Sequence, residues 1–169
     1  MVQLEWIKDL VEAEDKSIEM GVIEVNSQYQ QQRALVQSSL DLLLKLKEKF
    51  TDAISLYNDL KFSPLSKIKL YSIAQTHADF MIFRNGYKMI FSLKEAGILS
   101  VRFNFIGSQI LSTAQIAESK INSKIFDEQL LIAKTKAFNQ IYWTYQDQEF
   151  DIDHLIKFYF SLFARESLN

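Results

Sequence analysis

The amino-acid sequence predicts an α+β protein in which long N-terminal helices precede an antiparallel β-meander of three to five strands and a C-terminal helix. Two observations support this prediction. A seven-residue apolar repeat runs through the N-terminal third, and the turn signals Asn85-Gly86 and Gly97 divide a segment rich in strand-forming residues. With four glycines and one proline in 169 residues, the chain has too few turn residues for a many-turned β-sandwich.

Two helices are expected before residue 62. The first covers residues 3–22, with Leu4, Ile7, Leu10 and Val11 on one side. The second runs from about residue 28 to 61, and its apolar positions recur every seven residues at Tyr29, Val36, Leu43, Phe50 and Tyr57. A helix of this length spans roughly 50 Å, which exceeds the width of a small domain. We therefore expect part of this stripe to pack on the first helix, on a partner protein or on a second copy of the chain.

The meander is predicted at residues 78–106. Asn85-Gly86 is typical of a type I′ hairpin, because both central residues of that turn need φ > 0. The second turn, Glu95-Ala96-Gly97, is expected to form a bulge with Gly97 in the left-handed region. Both turns place the same apolar residues on one face: Phe80, Ile82, Tyr87, Met89, Phe91, Leu93, Leu99, Val101, Phe103 and Phe105. This agreement fixes the register and predicts that Phe91 is buried.

The other face of the meander is only partly polar. It carries Met81 and Phe83, together with Lys88, Ile90 and Ser92. We expect a sheet face with this many apolar residues to be packed against another element, either the second helix or a partner.

The elements around the meander are less sharply specified. The first four residues of segment 67–75 alternate between polar and apolar side chains, so this segment could form the first strand of the sheet. Ser63-Pro64 is also a reasonable helix start. Residues 108–123 place their apolar side chains on one helical face, which predicts a helix.

The C-terminal third contains an ambiguous segment followed by a clearer one. Residues 130–146 fit either a helix or strands, and the β-prone run at 141–145 favours one or two strands that join the meander. Asp151 or Asp153 then caps a terminal helix. These elements divide the chain into a helical region, 1–62, and an α+β domain, 63–169.

Charge is distributed unevenly. Residues 1–26 hold seven acids and two bases, whereas residues 27–126 hold 13 bases and seven acids, a local net charge of +6. The basic middle segment could meet an anionic partner such as a nucleic acid, or the acidic ends could pack near it within one molecule or one oligomer. The second interpretation is favoured, because dedicated nucleic-acid domains are usually far more basic.

Several kinds of site are not indicated. The absence of cysteine excludes disulfides, thiolate metal sites and cysteine nucleophiles. The four glycines are too far apart for a phosphate-binding loop, so we predict no cofactor and no catalytic set. Apolar runs are too short to span a bilayer and the N-terminus is acidic, which predicts a cytoplasmic protein without a membrane partner.

Both histidines lie close to carboxylates. His77 precedes Asp79, and His154 follows Asp151 and Asp153. Together they could ligate Fe, Mn or Zn as a two-histidine and carboxylate set. The favoured interpretation is a strand start and a helix cap, so no metal is predicted.

The predicted function is a non-catalytic protein–protein interaction protein, of the adaptor, chaperone, immunity, inhibitor or assembly-subunit type. It would bind a partner protein or a second copy through the long helix and the partly apolar sheet face. The predicted interaction residues are Tyr29, Val36, Leu43, Phe50, Tyr57, Met81 and Phe83. The alternative is a nucleic-acid-binding protein that uses segment 27–126, and a metal-dependent enzyme ranks third.

Overall fold

The computed structural model describes residues 4–20, 23–73, 78–106 and 125–168. Within these ranges the α-helices are α1 (Glu5–Met20), α2 (Ile23–Leu60) and α3 (Ile152–Glu166). The strands are β1 (Lys69–Ser72), β2 (Phe80–Arg84), β3 (Tyr87–Glu95), β4 (Ile98–Phe105), β5 (Phe126–Lys136), β6 (Gln140–Tyr145) and β7 (Gln148–Glu149). The α+β class and the order of long helices, meander and C-terminal helix are confirmed.

The described strands form one antiparallel sheet in which every strand pairs with its neighbours in sequence, from β1 to β7. The predicted count of three to five strands is wrong, because the described residues contribute seven. One cause is the β6–β7 turn, where Gln146 and Asp147 have φ of 50° and 66°. Both residues adopt the positive φ of a type I′ turn without the Asn-Gly pair that would reveal it.

The predicted register of the meander is confirmed. Asn85 and Gly86 have φ of 53° and 83°, and Phe80 pairs with Phe91 across the turn. The strand after Gly97 continues the same face, and a bulge lies between Leu93 and Glu95. The predicted strands within 67–75 and 130–146 are also present, as β1, β5 and β6. The helix predicted at 108–123 lies outside the described residues.

The core lies between one face of the sheet and two helices, α3 and the C-terminal half of α2. Phe91 is 1% exposed, and its ring centroid lies 4.9 Å from those of Phe50 and Phe80 and 5.7 Å from that of Tyr159. The predicted burial of Phe91 is therefore confirmed. Because α2 residues such as Phe50 share this core with the sheet, the two sides of residue 62 pack together, and the division into 1–62 and 63–169 stays a prediction.

The start of α3 shows the predicted cap. The Asp151 side chain accepts a hydrogen bond from the backbone N–H of His154 at 3.3 Å. A carboxylate in this position satisfies an unpaired N–H group and complements the positive end of the helix dipole.

Candidate interaction site

The long helix α2 meets the end of the sheet at Leu35–Ser39. There the Ser39 hydroxyl accepts a hydrogen bond from the Gly97 N–H at 2.9 Å, and the indole of Trp143 donates to the Ser38 hydroxyl at 3.1 Å. A Cβ on Gly97 would lie 3.2 Å from the Leu35 side chain, so the helix approaches the β3–β4 turn closely. Beyond this contact, the side chains of residues 28–34 are all exposed. We call residues 5–20 and 23–34 the helical arm.

Helix α1 supplies an amphipathic surface to the arm. Over residues 4–16, at 100° per residue, the apolar side chains fall within one half of the helix circumference, interrupted only by Glu14, and the other charged residues occupy the opposite half. The apolar half is exposed by 39% to 60% at each of Leu4, Trp6, Ile7, Leu10 and Val11. An apolar face of this kind is normally buried, so its exposure marks a candidate docking surface.

The predicted heptad stripe has two environments. Tyr29 and Val36 are 67% and 37% exposed, whereas Leu43 and Phe50 are completely buried in the chain's own core and Tyr57 is half-buried. The reason is the position of the sheet end near Leu35, since only the helix beyond that residue has a sheet to pack on. Within the stripe, only the Tyr29 end is exposed.

Tyr57 belongs to a polar cluster at the base of α2. Its hydroxyl accepts a hydrogen bond at 2.8 Å from Arg84, which is 2% exposed. Arg84 also donates to the carbonyls of Ser66 and Ala164 and to the Ser167 hydroxyl, at 3.1, 2.5 and 2.9 Å. The guanidinium thus lies at the carbonyl end of α3, where the helix dipole favours a positive charge. The cluster ties together α2, β2 and α3, which is a structural role.

The same cluster perturbs the Tyr57 hydroxyl. Burial alone raises the pKa of Tyr57, but the hydrogen bond and charge of Arg84, together with the charge of Lys61, outweigh burial and leave the pKa below its ordinary value. Sequence reasoning missed this role of Arg84. The available signal was alternation along β2, which places Arg84 on the same face as Phe80 and Ile82.

The predicted sheet-face residues Met81 and Phe83 lie on the face opposite the core and are half-buried. In the observed register Phe83 lies between Lys69 and Lys88, which pair with it from the two adjacent strands. The next row across the same face is Tyr71, Met81, Ile90 and Arg102. This outer face therefore has an apolar centre bordered by bases.

Glu128 compensates part of that positive charge. It accepts a hydrogen bond from the Ser100 hydroxyl at 2.7 Å and lies 3.0 Å from the Lys94 ammonium and 3.6 Å from the Arg102 guanidinium. The hydrogen bond from Ser100, followed by that from Lys94 and the charges of both bases, holds the pKa of Glu128 below its ordinary value. The carboxylate stays ionised at neutral pH and competes with any anionic ligand for these bases.

A second exposed apolar surface follows the C-terminal end of α2. Phe62 is fully exposed and Leu65 is 85% exposed, and the nearby Leu56 and Leu60 are exposed as well. We call these four residues the apolar corner. Sequence reasoning missed it, because an isolated Phe or Leu in a sequence gives no sign of whether it is buried.

The candidate metal ligands are only partly described. His154 Nδ1 lies 3.0 Å from an Asp151 oxygen, and both side chains are exposed at the start of α3. Asp79 is buried and accepts a hydrogen bond from the Leu93 N–H at 3.1 Å, while His77 lies outside the described residues. Residues 4–20, 23–73, 78–106 and 125–168 contain no group of three or more His, Cys, Asp or Glu side chains placed to hold a metal ion.

Within the same part of the chain, each helix is either too short or too polar to cross a bilayer. Comparison of the sequence and structure with protein-family models, with curated proteins and with solved structures found no match in any of the three.

Proposed function

We propose that the chain is a non-catalytic protein–protein interaction protein that binds its partner through the helical arm. The observation that carries this proposal is the exposure of the apolar half of α1, which includes Trp6 and Leu10. A contiguous apolar surface rimmed by charged residues is typical of a protein-binding site. The partner would pack against this helix face in the way that grooves receive amphipathic helices.

The attachment of the α2 part of the arm, residues 23–34, supports the proposal. Helix α2 runs without a break from Ile23 to Leu60, and its C-terminal half is fixed in the core by Leu43, Leu46 and Phe50. The N-terminal half therefore holds a defined direction relative to the sheet. A docking element that is already ordered loses little conformational entropy when it binds.

Charge also supports a protein as the partner. Helix α1 carries six acids and two bases, so it repels nucleic acids and anionic lipid surfaces. A protein groove with an apolar floor and basic rims would complement it. Adaptors, chaperones, immunity or inhibitor proteins and assembly subunits all use surfaces of this kind.

Capture experiments with matched variants test the proposal. The wild-type chain, a Trp6→Asp/Leu10→Asp variant and a Glu12→Ala/Lys16→Ala control are used as bait against an extract of the native source. The first variant charges the apolar half of α1, and the control alters only the polar half. We expect a protein that is retained by the wild type and the control but lost with the Asp variant. Equal retention by all three baits would contradict the proposal.

The outer sheet face supports a second candidate function, binding of single-stranded nucleic acid. Tyr71 is exposed on this face, with Lys69 two residues away on the same strand and Arg102 three strands away in the same row. Exposed aromatic side chains with nearby bases can stack and hold single strands. Glu128 weakens this candidate by pairing with Arg102 and with the neighbouring Lys94. Absorbance at 260 nm that persists through purification and is lost in high salt would support it, because phosphate contacts depend on counterion release.

A further inference from the structure

Two exposed apolar surfaces lie at opposite ends of α2, and their charges are opposite. At the N-terminal end, α1 carries six acids and two bases around its apolar half. At the C-terminal end, the apolar corner is flanked by Lys61, Lys67 and Lys69, with Asp59 as the one acid between residues 56 and 69. Both surfaces are therefore apolar, and their flanking charges are complementary.

The apolar corner is held in place by hydrogen bonds. The Asn58 amide donates to the carbonyl of Ile68 at 2.8 Å and accepts from the N–H of Ile68 at 2.9 Å. Between these residues, Pro64 begins a short 3-10 turn. Because proline restricts φ and Asn58 closes the loop, Phe62 and Leu65 are presented on an ordered segment.

The α1 helix of the same chain cannot reach this corner. From Ile23 to Leu60, α2 spans about 56 Å, whereas the 16 residues of α1 span only about 24 Å. Residues 21–22 join them, and the Cα atoms of Met20 and Ile23 can be at most about 11 Å apart, since consecutive Cα atoms are about 3.8 Å apart. Even folded back along α2, α1 ends about 15 Å short of Leu56, the nearest residue of the corner.

We propose that α1 of one copy packs on the apolar corner of a second copy, in a two-fold dimer whose α2 helices run antiparallel. This inference rests on the proposed function, because it takes the arm as the docking element and names its partner. A two-fold axis makes both contacts at once, since each chain offers one arm and one corner. Trp6 and Leu10 then face Phe62 and Leu65, and the α1 acids lie beside the corner lysines.

The lack of cysteine in the chain allows a direct test by cross-linking. Two variants, Leu10→Cys and Leu65→Cys, are oxidised separately and as an equal mixture. Light scattering measures the mass of the wild type in parallel. Both positions are exposed, so neither change disturbs the core. We expect a wild-type dimer and a disulfide-linked dimer that forms about tenfold faster in the mixture than in either variant alone.

The control is the mixture of Glu12→Cys with Leu65→Cys, which moves the thiol to the polar half of α1. A wild-type monomer, or cross-linking of the Leu10→Cys mixture no faster than that of the Glu12→Cys mixture, would overturn the dimer. In that case, a different protein that is captured by the wild type and lost with Trp6→Asp/Leu10→Asp would leave the proposed function standing. Failure of both experiments would refute both proposals.

Discussion

Asn58 and Ile68 form a reciprocal pair of hydrogen bonds, in which the Asn58 side chain donates to the backbone carbonyl of Ile68 and accepts from its N–H. The Ile68 side chain is itself buried, so these backbone groups lie at the edge of the core. The pair joins the end of α2 to the start of the sheet and determines where the loop between them projects.

Asn58→Ala should lower the free energy of unfolding by about 1–3 kcal/mol, because it leaves a partly buried N–H and C=O without their partner. Urea unfolding measures this change. Gln31→Ala on the exposed arm is the control, and its free energy of unfolding should stay within about 0.5 kcal/mol of that of the wild type. Equal stability of the two variants would show that the pair does not hold the loop.

Arg84→Met should lower the free energy of unfolding by about 3 kcal/mol or more, since it removes the donor that serves two carbonyls and two hydroxyls. It should also raise the pKa of Tyr57, because burial then acts without the opposing hydrogen bond and charge of Arg84. An ultraviolet pH titration with and without Tyr57→Phe isolates this one hydroxyl. An unchanged Tyr57 titration would contradict the assignment of Arg84 as its partner.

Tyr159 should make the stability depend on pH in alkaline solution. Burial, followed by the charge of Tyr145, raises the pKa of Tyr159 above its ordinary value of 10.0. The unfolded chain therefore releases this proton at a lower pH than the folded chain, so the stabilising contribution is complete below pH 10 and is lost as the pH rises above it. Comparison of urea unfolding below and above pH 10 should show a steeper fall for the wild type than for Tyr159→Phe. Parallel curves would contradict this prediction.

Phe91→Ala should lower the free energy of unfolding by about 3–5 kcal/mol, as expected for truncation of a central core aromatic. Phe91 stacks on Phe80 and contacts Phe50 and Tyr159, so its removal leaves a cavity that these rings cannot close without moving. Thermal unfolding measures the loss, and Phe138→Ala at an exposed turn position is the matched control. Similar melting temperatures for the two variants would place Phe91 outside the stabilising core.

The meander was predictable because its turns carry explicit signals. Asn85-Gly86 and Gly97 specify positive φ, and alternation then assigns every side chain between 80 and 105 to a face. The β6–β7 hairpin was not predictable, since Gln146 and Asp147 adopt the same turn conformation without a glycine. Both residues are exposed, and the pairing of Tyr145 with Gln148 across the turn holds them in the left-handed region.

The exposed apolar surfaces were predicted only in part. The seven-residue repeat correctly indicated a long helix, but it could not show that the sheet ends near Leu35, so that Leu43 is buried while Tyr29 is exposed. The apolar corner gave no signal at all, because exposure of Phe62 depends on where the Asn58–Ile68 pair directs the loop. Burial is a property of the assembled fold, and periodicity alone describes one helix at a time.

We propose that the helical arm binds a partner while the remainder of the heptad stripe supports the fold. Light scattering combined with thermal unfolding of the wild type, Trp6→Asp and Leu43→Asp tests it most directly. We expect the wild type to form an assembly larger than its 19.7 kDa chain, alone or with the protein that it captures. Trp6→Asp should lose the assembly and keep the wild-type melting temperature, whereas Leu43→Asp should unfold. An assembly that survives Trp6→Asp, or a wild type that stays monomeric at tens of micromolar and captures no protein, would contradict the claim.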